Sequence, residues 1–276
     1  MPELPEVEIV VRTLKKSFFI NSFITKVEIL KGKNFQNSSL EEINEKLIGQ
    51  KVETITRKGK WIFIHLTNLV LSCHLRMTGN FFFSQDNFSS IIFFLDKNQK
   101  IFFHDPWGFG KIYLQTFEEW KKFSKEIGVD AISDEFTEEY LFSAIKKEKR
   151  KINIKTFLLD QTLISGIGNI YATEILFSVK IHPLTLIKNL DLESAKKIVF
   201  HTKRILGESI ECGGTSVISW VSPILEKGRY QEKLKVYNRN DRSCYLCYKK
   251  ITSFRISGRI TFVCEECQTP PLITEN

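Results

Sequence analysis

The chain has 276 residues, long enough for a sizeable core and one or two domains, and its 40 Lys+Arg against 32 Asp+Glu leave a formal net charge of +8. That balance favours a polyanionic partner such as nucleic acid. No run of about 18 uninterrupted apolar residues is present, which argues against a transmembrane helix. The start, MPELPEVEIVV, lacks the basic stretch of a secretory signal, so a cytoplasmic protein without a membrane partner is expected.

Val7, Val10, Val11, Leu14 and Phe18 recur at helical spacing and predict a helix from Pro5 to Phe19. Pro5 suits its first turn, and Glu6 and Glu8 suit the positive end of the helix dipole. Pro2 has two readings. Removal of Met1 would leave a secondary amine, with a reference pKa near ~8, able to form an iminium with an aldehyde-level carbon. Alternatively, P-E-L-P-E is only the opening of a helix. Glu3 could act as acid or base beside that amine, and Glu6 could orient the terminus; both are equally ordinary capping residues.

Between Phe23 and Phe117 the pattern is of strands: VEIL, KVETI, WIFIHL, LVLSCHLRM, SIIFFL and KIFFH, with a helix across Ser39–Leu47. Several such strands predict a sandwich or barrel-like sheet. Cys73 falls in an apolar run and reads as a core thiol. The turn Arg57-Lys58-Gly59-Lys60 clusters cations that could meet phosphate or share proton transfer, or simply be solvated.

After Glu118 the spacing turns helical, over Thr137–Lys146, Lys155–Leu163, Asn169–Phe177 and Leu192–Glu211. The last carries Ala195, Ile198, Val199, Ile205, Leu206 and Ile210 on one stripe and stops at Gly213-Gly214. SGIGN, ahead of Asn169, places a glycine turn before a helix start, where backbone N–H groups attract phosphate. Asn169 either caps that helix or donates its amide to an oxygen, and Lys147–Lys151 with Lys155 add positive charge nearby.

Cys244, Cys247, Cys264 and Cys267 form two C-x2-C pairs separated by sixteen residues. Each pair offers two thiolates on a tight turn, the donor set of one tetrahedral structural zinc on a β-hairpin. Disulfides are disfavoured in a chain of this length without a secretory start, and Cys212 has no paired spacing. Four protein ligands leave no open coordination position, so no catalytic metal is expected. Arg255 and Arg259 lie between the knuckles, where a guanidinium fork suits backbone phosphate. The tail TPPLITEN reads as irregular.

MPELPEVE, HLRMTG, FLLDQTLISGIGNIYATE, IHP, GGTS, VYNR and C-x2-C…GRITFVC-x2-C occur in the order found in the formamidopyrimidine-DNA glycosylase family, and the chain resembles that family over essentially its whole length. The MPELPE start resembles the formamidopyrimidine branch more than the endonuclease VIII branch.

The resemblance implies an α+β fold in consecutive parts. These are an N-terminal catalytic helix with a β-sandwich (1–118), a connecting segment (119–136), a helix–two-turn–helix domain (137–236) and a four-cysteine zinc finger (237–269), with DNA in a basic cleft between the domains. It implies that Pro2 is the Schiff-base nucleophile at C1′ and Glu3 the general acid/base, supported by Glu6. Lys60 and Arg259 would grip phosphate and assist elimination. His74, Lys151, Lys155, Asn169, Tyr237 and Arg239 would contact DNA or support the site. GGTSVISWVSPILEKGRYQ would contain the loop over the extruded base, because chemistry at the sugar requires the nucleotide to leave the stack.

The implied activity is excision of oxidised purines, 8-oxoguanine and formamidopyrimidines, followed by β,δ-elimination, by a monomer acting on double-stranded DNA with oxidised bases or abasic sites. The competing readings are an enzyme shifted to oxidised pyrimidines or abasic sites, a non-catalytic binder of damaged DNA, and a zinc-dependent nuclease. In place of the family's Met, Arg and Phe, which fill the void left by the flipped base, this sequence has Met77, Trp107 and Phe109. An indole stacks but has one donor, so weaker selectivity for cytosine opposite the lesion is expected. A histidine common in relatives is also missing near Ser90.

Overall fold

The computed structural model describes residues 1–31, 34–216 and 220–271. They form two compact units: Met1–Glu126 joined by Ile210–Arg229, and Ile127–Ser209 joined by the chain from Tyr230 onward. A division into consecutive stretches has no place for the return of Ile210–Arg229 to the first unit. Within the loop expected over an extruded base, 217–219 lie outside the described residues, as do 272–276 of the tail.

The first unit opens with α1 (Leu4–Lys15), which starts one residue earlier and ends four residues earlier than the apolar stripe predicts. Val7, Val10, Val11 and Leu14 enter the core, whereas Phe18 lies past the helix end and rests on Phe83, ring centroids 5.4 Å apart. Then follow β1 (Ile24–Ile29), α2 (Leu40–Leu47), β2 (Val52–Lys58), β3 (Trp61–Leu66), β4 (Leu69–His74), β5 (Asn80–Phe82), β6 (Ser89–Leu95), β7 (Lys100–His104), β8 (Lys111–Thr116) and α3 (Phe117–Glu126). Ser39 and Glu42 close a capping box on α2, their side chains accepting each other's backbone N–H at 3.3 and 2.9 Å.

Two antiparallel sheets result, in the orders β1-β6-β7-β5 and β2-β3-β4-β8. One apolar cluster draws on both, with Val27, Phe93 and Phe103 from the first and Ile55, Ile64 and Leu71 from the second, so the pair is a sandwich. β3 is buried on both faces. Ile62, Ile64 and Leu66 face the core, while Trp61, Phe63 and His65 meet Phe123 and Trp120 of α3 at centroid distances of 4.8–5.9 Å.

The second unit contains β9 (Val129–Asp130), α4 (Glu138–Lys147), α5 (Ile154–Leu158), β10 (Ile164–Ser165), α6 (Asn169–Ser178) and α7 (Leu192–Glu211), whose last two residues belong to the first unit. α4 is capped by Thr137, whose hydroxyl accepts the Tyr140 N–H at 3.1 Å. α5 is shorter than Lys155–Leu163: the Asp160 carboxylate accepts the Thr162 N–H and hydroxyl and turns the chain away. α6 is buried continuously from Tyr171 to Phe177, with the polar Thr173 and Glu174 taken in along with the apolar residues. The finger hairpin consists of β11 (Thr252–Ile256) and β12 (Arg259–Val263), joined through left-handed Ser257 and Gly258.

Candidate functional site

Pro2 and Glu3 are buried at the start of α1, and a second carboxylate fixes the segment. Glu6, 2% exposed, accepts the Glu3 N–H at 2.8 Å with one oxygen and the Thr215 N–H at 2.7 Å with the other. Gly214 lies directly beside it with φ +84, and a Cβ there would stand 3.1 Å from Glu6 Oε1. At Gly228 a Cβ would fall 2.2 Å from the Gly214 carbonyl oxygen. Gly214 therefore does more than help stop α7: it lets the backbone pass close to Glu6, and Gly228 lets the returning chain pass close to Gly214.

The Arg57–Lys60 cations divide by task. Gly59 (φ +57) and Lys60 form the two-residue turn between β2 and β3. Arg57 pairs with Glu8 of α1 at 2.8 Å and donates to the Gly59 carbonyl at 2.9 Å. Lys58 donates to the Ser124 carbonyl of α3 at 2.8 Å. Lys60 is 5% exposed. Burial opposes ionisation of Glu8, but hydrogen bonds and charge from Arg57 and Arg12 outweigh it and hold the carboxyl below its ordinary range.

His74 pairs with Trp61 across β3 and β4, their rings edge-to-face at 4.8 Å. Burial, then the charges of Arg76, Lys60 and Lys111, push its pKa down to about 3. Its Nδ1 accepts the Arg76 N–H at 3.0 Å, so the neutral ring carries its proton on Nε2, a fixed donor near those cations.

Met77, Trp107 and Phe109 stand out as exposed apolar side chains, at 45%, 60% and 56%. They sit on a rigid base: Asp105, 2% exposed, accepts from Asn34 Nδ2 at 2.8 Å, the Thr78 hydroxyl at 2.7 Å and the Gly110 N–H at 2.7 Å. The Trp107 N–H adds a 3.3 Å bond to the Thr78 hydroxyl. The Trp107 and Phe109 rings are 6.2 Å apart and near perpendicular. Large exposed apolar groups on a tethered turn are unusual enough to mark a candidate contact surface. At Ser90 the hydroxyl is buried and donates to the Phe103 carbonyl, so that position offers nothing outward.

In the second unit, Gln161 brackets the glycine turn ahead of α6. Its side chain accepts the Gly166 N–H at 3.0 Å and donates to the Ile167 carbonyl at 2.8 Å. Gly168, not Asn169, occupies the capping position, and Asn169 Nδ2 instead donates to the Ile260 carbonyl of β12 at 2.9 Å. Lys155, expected to contact DNA or support the site, is wholly buried and donates to the Thr261 hydroxyl at 2.6 Å, so it supports the finger from within.

Tyr237 packs edge-on against Phe262 at 5.2 Å. Arg239 donates to the Lys235 and Ser243 carbonyls and stacks on Tyr245 at 3.6 Å. In the Lys147–Lys151 cluster, Arg150 is tied to Glu148 at 2.6 Å and Asp160 at 3.2 Å, leaving exposed Lys147, Lys149 and Lys151 as the outward charges. Arg259 is exposed at the start of β12.

Glu174 carried no sequence signal beyond its place in a buried helix, yet it organises this region. Its carboxylate accepts the N–H groups of Lys235, Val236 and Tyr237 at 2.8–3.0 Å. Burial raises its pKa, and the three donors hold that rise in check.

Cys244, Cys247, Cys264 and Cys267 bring their Sγ atoms within 4.8 Å of one another, with 3.9 Å between Cys244 and Cys267 and 3.4 Å between Cys247 and Cys264. A tetrahedron with Zn–S bonds of about 2.3 Å has S···S edges of about 3.8 Å, so the donor set fits one zinc ion. The surrounding core is small, comprising Phe177, Val236, Ile251 and Phe262 with two of the cysteines.

Comparison with known proteins gives a consistent match. Residues 1–112 match the family model of the formamidopyrimidine-DNA glycosylase N-terminal domain, and residues 127–220 that of its H2TH domain. Formamidopyrimidine-DNA glycosylase of Mycoplasma pneumoniae is 37% identical over 278 residues, covering 97% of this chain and 99% of the relative. That of Ureaplasma parvum is 36% identical, covering 97% and 100%. Among solved structures, a mutant Lactococcus lactis Fpg in complex with Fapy-dG containing DNA aligns with a TM-score of 0.90 at 27% identity, over 98% of this chain and all of that one. The Lactococcus lactis protein with abasic-site DNA aligns at 0.89 and 28%, with the same coverage.

Proposed function

The chain belongs to the formamidopyrimidine-DNA glycosylase family, and from that premise we infer that it is a bifunctional DNA glycosylase and abasic-site lyase that removes oxidised purines. The observation that carries this reading is the buried Pro2-Glu3 start, held by Glu6 through the Glu3 and Thr215 N–H groups. A nucleophile acts efficiently when its position is set before the substrate arrives.

With Met1 removed, the Pro2 nitrogen attacks C1′ of the everted nucleotide, the bond to the damaged base breaks, and an iminium links protein to sugar. The iminium acidifies the C2′ protons. Loss of one expels the 3′ phosphate, and a second elimination expels the 5′ phosphate, leaving a one-nucleotide gap. Glu3 moves protons during ring opening and elimination. Lys60 and the Nε2–H of His74 bind phosphate beside the reacting sugar. Arg259, Asn169 and Lys151 hold the DNA backbone from the second unit.

The four cysteines hold a structural zinc that supplies folding energy to the finger and takes no part in the reaction. Met77, Trp107 and Phe109 enter the stack where the damaged nucleotide leaves it. Trp107 stacks there without an arginine's paired donors, which favours tolerance of the base opposite the lesion.

Incubating a duplex containing one 8-oxoguanine with the protein and borohydride tests the reading. The expected result is a covalent adduct through the terminal amine, lost when that amine is blocked. Cleavage by a blocked protein, or no adduct with the processed one, would overturn it.

A further inference from the structure

Arg57 joins two parts of the active site that come from different segments of the chain. Its Nε binds Glu8 of α1 at 2.8 Å, and its Nη1 binds the Gly59 carbonyl at 2.9 Å. That carbonyl belongs to the peptide bond leading into Lys60. One guanidinium thus touches both the helix that begins behind Pro2 and the peptide unit that carries Lys60.

The link is shielded: the Arg57 side chain is 8% exposed and that of Glu8 19%. The other Glu8 oxygen takes Arg12 at 2.9 Å, and Arg12 reaches Glu211 at 3.4 Å, but there Arg12 is 48% and Glu211 77% exposed. Exposed pairs of that kind contribute little. From the opposite side, Lys58 ties the same turn to α3 through the Ser124 carbonyl. Gly59, in the left-handed region, has no side chain with which to hold the turn itself.

We propose that Arg57, anchored by Glu8, is a positioning residue that fixes the Lys60 ammonium relative to the Pro2 amine during elimination. The role requires a planar fork with separate donors. A lysine keeps the charge but cannot serve the Glu8 carboxylate and the Gly59 carbonyl with the same geometry. A misplacement of about 1 Å in such a pair costs up to roughly a hundredfold in rate. The inference rests on the lyase reading above.

The test uses zinc-loaded protein with a processed N-terminus and a duplex bearing a preformed abasic site. Active sites are counted by borohydride trapping, and single-turnover cleavage is measured per trapped site. Arg57→Gln, Arg57→Lys and Glu8→Gln are each expected to slow cleavage per trapped site on the order of tenfold to a hundredfold, alongside the loss of melting temperature that breaking a shielded pair brings. The Arg57→Gln/Glu8→Gln double variant is expected to be no slower than the worse single variant, because both break one link. A purely structural role would lower the trapped fraction and melting temperature while leaving the rate per trapped site intact; that result, or full activity of Arg57→Lys, overturns the proposal. Should Arg57→Gln fail to fold, the other two variants decide the question. Absence of an adduct from the unsubstituted protein would instead overturn the lyase reading, and this inference with it.

Discussion

Two regions of this protein use the same device for different ends. At the start of α1, Glu6 accepts the Glu3 and Thr215 N–H groups; in α6, Glu174 accepts those of Lys235, Val236 and Tyr237. Each is a buried helical carboxylate gripping the backbone of a distant segment. The first stands beside a sandwich whose core spans two sheets, and there it fixes the chain start proposed to carry the chemistry. The second stands beside a finger whose small apolar core includes its own metal ligands, and there it helps hold a fold together. Backbone capture by a carboxylate can thus serve chemistry where packing is ample and folding where packing is scarce.

Zinc removal should separate the two regions most sharply. Structural zinc contributes about 10–16 kcal/mol in isolated fingers. Chelation is therefore expected to unfold the finger and abolish duplex binding, while the environments of Trp61 and Trp120 in the sandwich stay unchanged by fluorescence and near-UV dichroism. Tight binding after verified zinc loss would remove the contrast.

Next in size is Glu3→Gln, expected to slow excision roughly 10²–10⁴-fold with duplex affinity retained, as measured under single turnover. An unchanged rate would take Glu3 out of the chemistry. Glu174→Ala is expected to cost about 3–5 kcal/mol by leaving buried donors without their acceptor, with the loss seen as earlier melting and faster hydrogen exchange in the finger. If exchange rose equally in the sandwich, Glu174 would not be specific to its region.

Trp107→Arg tests a narrower point. Regaining paired donors should add about 1–3 kcal/mol of discrimination between bases opposite the lesion. Excision opposite C, A, G and T measures it, and a profile identical to that of the unsubstituted protein would sink the idea. A last effect, confined to low pH, concerns His74. With its folded pKa near 3 against an ordinary 6.5, the unfolded chain takes up a proton that the folded protein refuses. Its contribution to stability is complete above about pH 6.5 and is lost as pH falls towards 3. His74→Gln should flatten the melting temperature against pH in that window; an unchanged slope would refute the assignment.

What could be read in advance follows the physics of each element. The zinc ligands were legible because metal geometry imposes a local spacing, and α7 because its stripe is long and ends at glycines. α3 was not, because FEEWKKFSKE has no buried residue and depends on Trp120 and Phe123 meeting the sandwich and on Lys58 holding Ser124. β5, three residues long, and β8 have too little pattern to mark them. For Lys155 the sequence showed only a lysine in a basic stretch, and the fold alone supplies its partner, the Thr261 hydroxyl 106 positions away. The Arg57–Glu8 pair spans 49 positions and was equally invisible. At the site, the residue types were legible and their partners were not.

The buried Lys155 also provides a clock. Its amine reaches solvent, and any acylating reagent dissolved there, only when its cover opens. The rate at which it acquires label, compared with exposed Lys151, therefore times the opening of the finger without any substitution in the chain. Followed with and without DNA, that rate would give the grip of the ligand on this unit as a change in waiting time.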